Sequence, residues 1–146
     1  MPETLTPFLA LAAGGLVFGV AAILMIAARP GAPGNALLAG ALSAGFAAFT
    51  AVTIATEGVF PLIPNQTSNL WGVQVWWDLL FSLSVAFFFV VPRARAAGMN
   101  VGLWTVFVLA TASIGLLAMV ARLFWLEQAQ AQARAQADAP GEPARA

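Results

Sequence analysis

The sequence predicts an all-α, polytopic membrane protein, a bundle of four transmembrane helices followed by a helical or disordered tail. Composition is the first reason: of 146 residues, 61% are hydrophobic and 8% charged, with a mean hydropathy of +0.88. A soluble core of this size has no room for so much apolar surface. The second is that the apolar residues fall into four runs of about 20, the length that crosses roughly 30 Å of hydrocarbon. The third is that proline, glycine and arginine collect between those runs, where a helix has to stop.

The first span covers 8–28. Thr6 and Pro7 precede it, a hydroxyl cap and a proline at the first helical position, where no donor is lost. The short acidic start, Met1-Pro2-Glu3-Thr4, lacks the basic region of a secretory signal and reads as a mature terminus. Gly15 and Gly19 form a GxxxG pair, which lets another helix approach closely or arises by chance in a Gly/Ala-rich run. Arg29-Pro30-Gly31-Ala32-Pro33-Gly34-Asn35 then turns the chain.

The second span covers 36–56. Ala36, Gly40, Ala44 and Ala48 recur every fourth residue with Ala41 and Gly45 beside them, which predicts a smooth face and a central place in the bundle. Glu57 closes the span. The connection 58–69 carries Pro61, Pro64 and a polar run, and its Asn65-Gln66-Thr67 sequon reads as an ordinary polar loop close to the membrane. Trp71, Trp76 and Trp77 form an aromatic belt at the entry of the third span, 71–91. A basic turn from Pro92 to Asn100 leads to the fourth span, 101–126, which contains Trp104, Thr111, Gly115, Ala118 and Arg122. One transmembrane domain, 1–126, is expected, followed by an Ala/Gln-rich tail, 127–146, that continues as a helical stalk until Pro140-Gly141 and ends in disorder.

Several function classes are excluded by composition. There is no cysteine and no histidine, so disulfides, thiol nucleophiles and the commonest haem and zinc ligands are missing. No metal, no cofactor and no catalytic residue is assigned. Six Lys plus Arg balance six Asp plus Glu, and the basic residues are scattered arginines, so no nucleic-acid footprint is present. The partners expected are the lipid bilayer together with further copies of the chain or a larger membrane complex. Arg29, Arg93 and Arg95 sit in the turns after the first and third spans, and the positive-inside rule then puts both termini outside the cytoplasm of a bacterial inner membrane, with Arg122 and Arg134 arguing the other way.

Two ionisable residues lie inside apolar spans, Asp78 and Arg122, and a charge in hydrocarbon has to be paired or wetted. Asp78 lies about 10 Å in from Trp71 and Arg122 about 6 Å before Leu126, at similar depth on the same side of two antiparallel neighbours, and the sequence predicts an ion pair between them. Glu57 belongs to the same layer, and Ser82 lies one turn beyond Asp78. One reading makes the pair a device for fixing helix register, or lets Arg122 snorkel to the surface. The other makes Asp78, Arg122, Glu57 and Ser82 a substrate-binding or proton-handling layer under the tryptophans.

Asn69, the aromatic-Asp78-Leu79 entry, the turn Arg93-Ala94-Arg95-Ala96-Ala97-Gly98-Met99, Trp104, and Ser113-Ile114-Gly115-Leu116-Leu117 closing on Arg122 occur in order over 36–124. Over that range the chain resembles a family of small multi-span bacterial membrane proteins of unknown function. The chain departs from it by its additional first span and by lacking a proline in the last. The resemblance implies a compact helical bundle and carries over no activity. The function expected is therefore that of a structural or accessory component of a membrane complex, more a non-enzyme than an enzyme. The rival is lipid or isoprenoid binding, transport or acid/base chemistry on Asp78 and Glu57. A self-associating scaffold built on Gly15, Gly19 and the smooth second helix is the third class, and there Gly40→Leu would alter oligomeric state.

Overall fold

A computed structural model describes residues 5–28 and 34–138, which form helices α1 (Leu5–Ala27), α2 (Ala36–Glu57), α3 (Leu62–Thr67), α4 (Leu70–Ala96), α5 (Val101–Thr111) and α6 (Ser113–Ala137). Arg29 to Pro33, Pro140-Gly141 and the end of the tail expected to be disordered lie outside the described residues. The chain divides into two compact units, Met1–Pro33 and Gly34–Ala146.

The first unit holds α1. Its stretch Pro7–Ala27 has a mean hydropathy of 2.5 and is long enough to cross a membrane. The helix is apolar all round, and Gly15 and Gly19 share one side of it.

In the second unit, α2 and α4 are also long and apolar enough to cross, with mean hydropathies of 1.9 and 1.8. Asparagine opens three of the helices here. The Asn35 carboxamide oxygen accepts from Leu38 N at 2.9 Å, that of Asn69 from Gly72 N at 2.8 Å and that of Asn100 from Leu103 N at 3.1 Å, each satisfying an amide left free in a first turn. Gly58, at φ 81°, closes α2. The connection after it is not all loop: Leu62–Thr67 forms α3, which starts on Pro61 and keeps Pro64 in its first turn, where a missing amide costs nothing. This helix packs on α4 at Gly72, where a Cβ would come within 2.8 Å of the Asn65 carbonyl oxygen.

The third span is longer than expected. Helix α4 continues through Pro92 and both arginines to Ala96, so the turn is only Ala97–Asn100. Gly98 at φ 77° ends it, with Met99 N donating to Ala94 O at 2.9 Å, the wrapped closure that a left-handed residue permits.

The expected fourth span, 101–126, is two helices folded back on each other. The chain reverses at Ala112, whose φ of 50° and ψ of −120° break the helical path. As one straight helix, Asn100 to Glu127 would span about 40 Å. Instead Glu127 binds Arg93, four residues before the start of the turn, with Nη2–Oε2 at 2.6 Å. Gly115 makes the reversal possible, because a Cβ there would lie 2.9 Å from Val108 Cα and 3.0 Å from the Phe107 carbonyl oxygen, seven and eight residues back. Helix α5 is about 16 Å long, half a hydrocarbon thickness.

Helix α6 is therefore the hub, in place of the central α2 that the sequence predicts. The core is Val90 and Ala94 of α4, Val108 of α5, and Met119 and Leu123 of α6, with Leu83, Phe87, Trp104 and Leu116 packed around it. On the other side of α6, α2 runs antiparallel to it: Gly34 faces Phe124, Gly40 faces Ala121, and the Ser43 hydroxyl donates to the Ile114 carbonyl oxygen at 2.9 Å. The buried residues of α2 are Ala39 and Ser43, with Gly40 between them, whereas Ala44 and Gly45 are exposed. Half of the smooth face expected on α2 is thus the seam with α6, shifted one residue round from the Ala36–Ala48 row. Without a hydrophobic force between helices in lipid, this close backbone approach is what holds such a seam.

Candidate functional site

The polar residues that the sequence singles out divide between two places. At the end of α4 that carries the arginines, three side chains of one turn of α6 tie the unit together. The Arg93 guanidinium clasps the Glu127 carboxylate through Nε–Oε1 at 2.9 Å and Nη2–Oε2 at 2.6 Å, and lies 5.5 Å from the Phe124 ring. Gln128 Nε2 donates to the Gly34 carbonyl oxygen at 2.6 Å. The Phe124 ring lies so close to Gly34 that no Cβ fits there. Phe124, Glu127 and Gln128 thereby join the start of α2 to the end of α4. Sequence reasoning missed this collar, because it assigned Glu127 to the tail. The signal available was an acidic residue three past Phe124, at the end of the apolar run.

Arg122 belongs to this end as well. Its guanidinium stands 4.4 Å over the Trp125 ring, a cation–π arrangement one helical turn away. The ion pair expected between Asp78 and Arg122 is not formed; among the described residues the salt bridge is Arg93–Glu127. The cause is the reversal at Ala112. Depth matching implied a complete fourth crossing, whereas the returning α6 sets Glu127 against Arg93, and Asp78 is 15 residues, about 22 Å, further up α4.

Asp78 instead lies on the outer side of α4. It precedes Leu83 by 5 residues and Ala94 by 16, which puts it about 140° and 160° round the helix from the side that meets the hairpin. An open hollow of about 400 Å³ surrounds it, lined by Leu70, Val73, Gln74, Trp77, Asp78 and Phe81, all of α4. The Trp77 and Phe81 rings meet edge to face at 5.6 Å. One helix forms the whole lining, so the hollow has a floor and no facing wall. Were α4 to cross a membrane, counting roughly 30 Å back from Arg93 would set the far hydrocarbon boundary near Val73 and Asp78 about 7 Å inside it. An unpaired carboxylate there costs on the order of several kcal/mol.

The remaining candidates do not join this group. Glu57 is exposed at the end of α2 and takes no part in the lining, and Ser82 is exposed one turn past Asp78. Trp71 and Trp76 are exposed at the start of α4, with Trp76 beside the small hollow between α3 and α4. Trp104 packs against the core, 6.0 Å from the Phe107 ring. Gly40 and Gly115 are packing positions, whereas nothing lies near Gly45. Among the described residues no three acidic side chains come together. Gln74, one turn before Asp78 on the same side, is the neighbour that sequence reasoning did not find; an amide four residues from a carboxylate inside an apolar run was the signal.

Comparison of the chain with protein families, curated proteins and solved structures finds no match.

Proposed function

We propose that the chain is a multi-pass accessory component of a bacterial inner-membrane complex, acting through helix packing and without chemistry of its own. Helices α1, α2 and α4 make three crossings, and α5 with the first part of α6 forms a re-entrant hairpin that enters and leaves on one side. Arg93, Arg95 and Arg134 then share the cytoplasmic side, so the positive-inside rule puts the C-terminal tail inside. With a complete fourth crossing, Arg134 had stood against that rule. Membership of the small bacterial membrane family that residues 36–124 resemble is part of this proposal.

The observation that carries the reading is Asp78 on the outer side of α4, within the apolar span and away from every arginine of its own unit. A carboxylate so placed calls for a partner beyond the described residues of its own unit. The test is the size of the species formed at native expression in the organism's own membrane. Extracted in mild detergent, an accessory protein migrates far above the 15.1 kDa of one chain with a second polypeptide in fixed ratio. A lone chain sinks the reading.

The hollow around Asp78 favours a second reading, binding of a small amphipathic molecule. Against it stands the missing facing wall, since a small-molecule site buries most of its ligand's surface. A defined lipid or isoprenoid that copurifies with the chain and is lost in Asp78→Asn would decide for it.

A further inference from the structure

Resting on the accessory role proposed above, the geometry points to the class of partner: a transmembrane helix of another protein that seats on the outer side of α4 and sets an arginine or lysine against Asp78. The carboxylate sits inside the span with Gln74 one turn before it, and the Trp77–Phe81 pair forms one rim of the same hollow. A guanidinium entering there meets a carboxylate, an amide oxygen and an aromatic face at once, the three groups that hold arginine in an apolar setting. The outer side of α4 continues past Asp78 through Phe81, Val85 and Phe88, all exposed, and so offers a strip several turns long for a second helix.

Among the described residues, a second copy of the chain offers no cation that meets this need. Among the described residues the arginines are Arg93, Arg95, Arg122 and Arg134. Arg93 is held by Glu127 and Arg122 lies over Trp125. Arg93 is also 15 residues, about 22 Å, along α4 from Asp78. In a copy inserted the same way round, these cations lie near the opposite membrane surface, and two Asp78 side chains would face one another without a counter-ion. Over the described residues, charge complementarity therefore selects a different chain.

The probe is a synthetic 22-residue leucine/alanine helix carrying one arginine about 7 Å inside one end, with an all-apolar control. Association with the full-length protein is read by energy transfer in phosphatidylcholine/phosphatidylglycerol vesicles. The arginine peptide is expected to bind at least about tenfold tighter than the control. That preference should be lost in Asp78→Asn, kept in Asp78→Glu, and lost again in Val85→Trp, which leaves the carboxylate in place and obstructs the strip. Equal binding of both peptides, or a preference that survives Asp78→Asn, overturns the proposal. Self-association of the chain that disappears in Asp78→Asn overturns it in favour of a second copy, and a change only in copurifying phospholipid overturns it in favour of a lipid headgroup. If the chain migrates in a large native complex and the peptide preference is absent, this inference alone falls. If the native species is a single chain, the accessory role falls whatever the peptide does.

Discussion

Replacing Gly115 with alanine distinguishes a folded-back hairpin from a straight fourth helix by the sign of the effect. In a continuous apolar helix the added methyl stabilises by up to about 1 kcal/mol, because glycine has the poorer helix propensity. In the hairpin the new Cβ would lie 2.5 Å from Thr111 Oγ1, 2.9 Å from Val108 Cα and 3.0 Å from the Phe107 carbonyl oxygen. The hydroxyl can rotate away after giving up its 2.7 Å bond to Phe107 O, but the two backbone atoms move only if α5 and α6 separate. Overpacking of this kind costs about 1–3 kcal/mol, so set against a propensity gain of up to about 1 kcal/mol the net effect runs from near zero to a loss of about 3 kcal/mol. Reversible unfolding in mixed micelles with increasing dodecyl sulfate, followed by tryptophan fluorescence, reads it. Adding Thr111→Ala removes one of the three close approaches and should restore only part of the loss. A stabilising Gly115→Ala refutes the reversal.

The other expectations concern the same joints. Ala112 holds φ 50°, a conformation that disfavours any side chain, so Ala112→Gly should leave stability unchanged or raise it by up to about 1 kcal/mol, against a loss of about 1 kcal/mol in an unbroken helix; the same unfolding assay decides. Ser43→Ala removes the 2.9 Å bond to Ile114 O and should cost about 0.5–1 kcal/mol, with no loss telling against the α2–α6 seam. Arg93 and Glu127 are 49% and 34% exposed, so a double-mutant cycle with Arg93→Gln and Glu127→Gln should give a coupling of only about 0.5–1 kcal/mol that weakens with salt. Zero coupling at low salt would remove the collar's ionic part.

Much of the fold is legible from the sequence for a simple reason. Helices α1, α2 and α4 are long apolar runs bounded by Pro33-Gly34, Gly58 and Gly98, and Asn35, Asn69 and Asn100 stand where the free first-turn amides need an acceptor. The reversal at Ala112 is hidden because nothing interrupts the apolar run there. A left-handed φ at alanine leaves no compositional mark, and Thr111, Gly115, Ala118 and Arg122 read equally well as one side of a straight helix. That one misreading propagates. It sends Arg122 to the wrong end of α4, produces the unformed pair with Asp78, and makes α2 the centre in place of α6. Asp78 stands out from the sequence under any topology, because the cost of a charge in an apolar span does not depend on it. Its surroundings do not, since which side of α4 faces outward is decided by where the hairpin packs.

The most direct test uses the absence of cysteine. Single cysteines at Ser68, in the connection between α3 and α4, and at Ala129, past the collar, are both at exposed positions and can be labelled in sealed membrane vesicles with a membrane-impermeant maleimide. Three crossings with a re-entrant hairpin predict that vesicles of one sidedness label one site and leave the other protected, with the pattern exchanged in vesicles of the opposite sidedness. Labelling of both sites from the same side would mean that residues 101–126 cross completely, contradicting the hairpin and with it the placement of Asp78 away from Arg122.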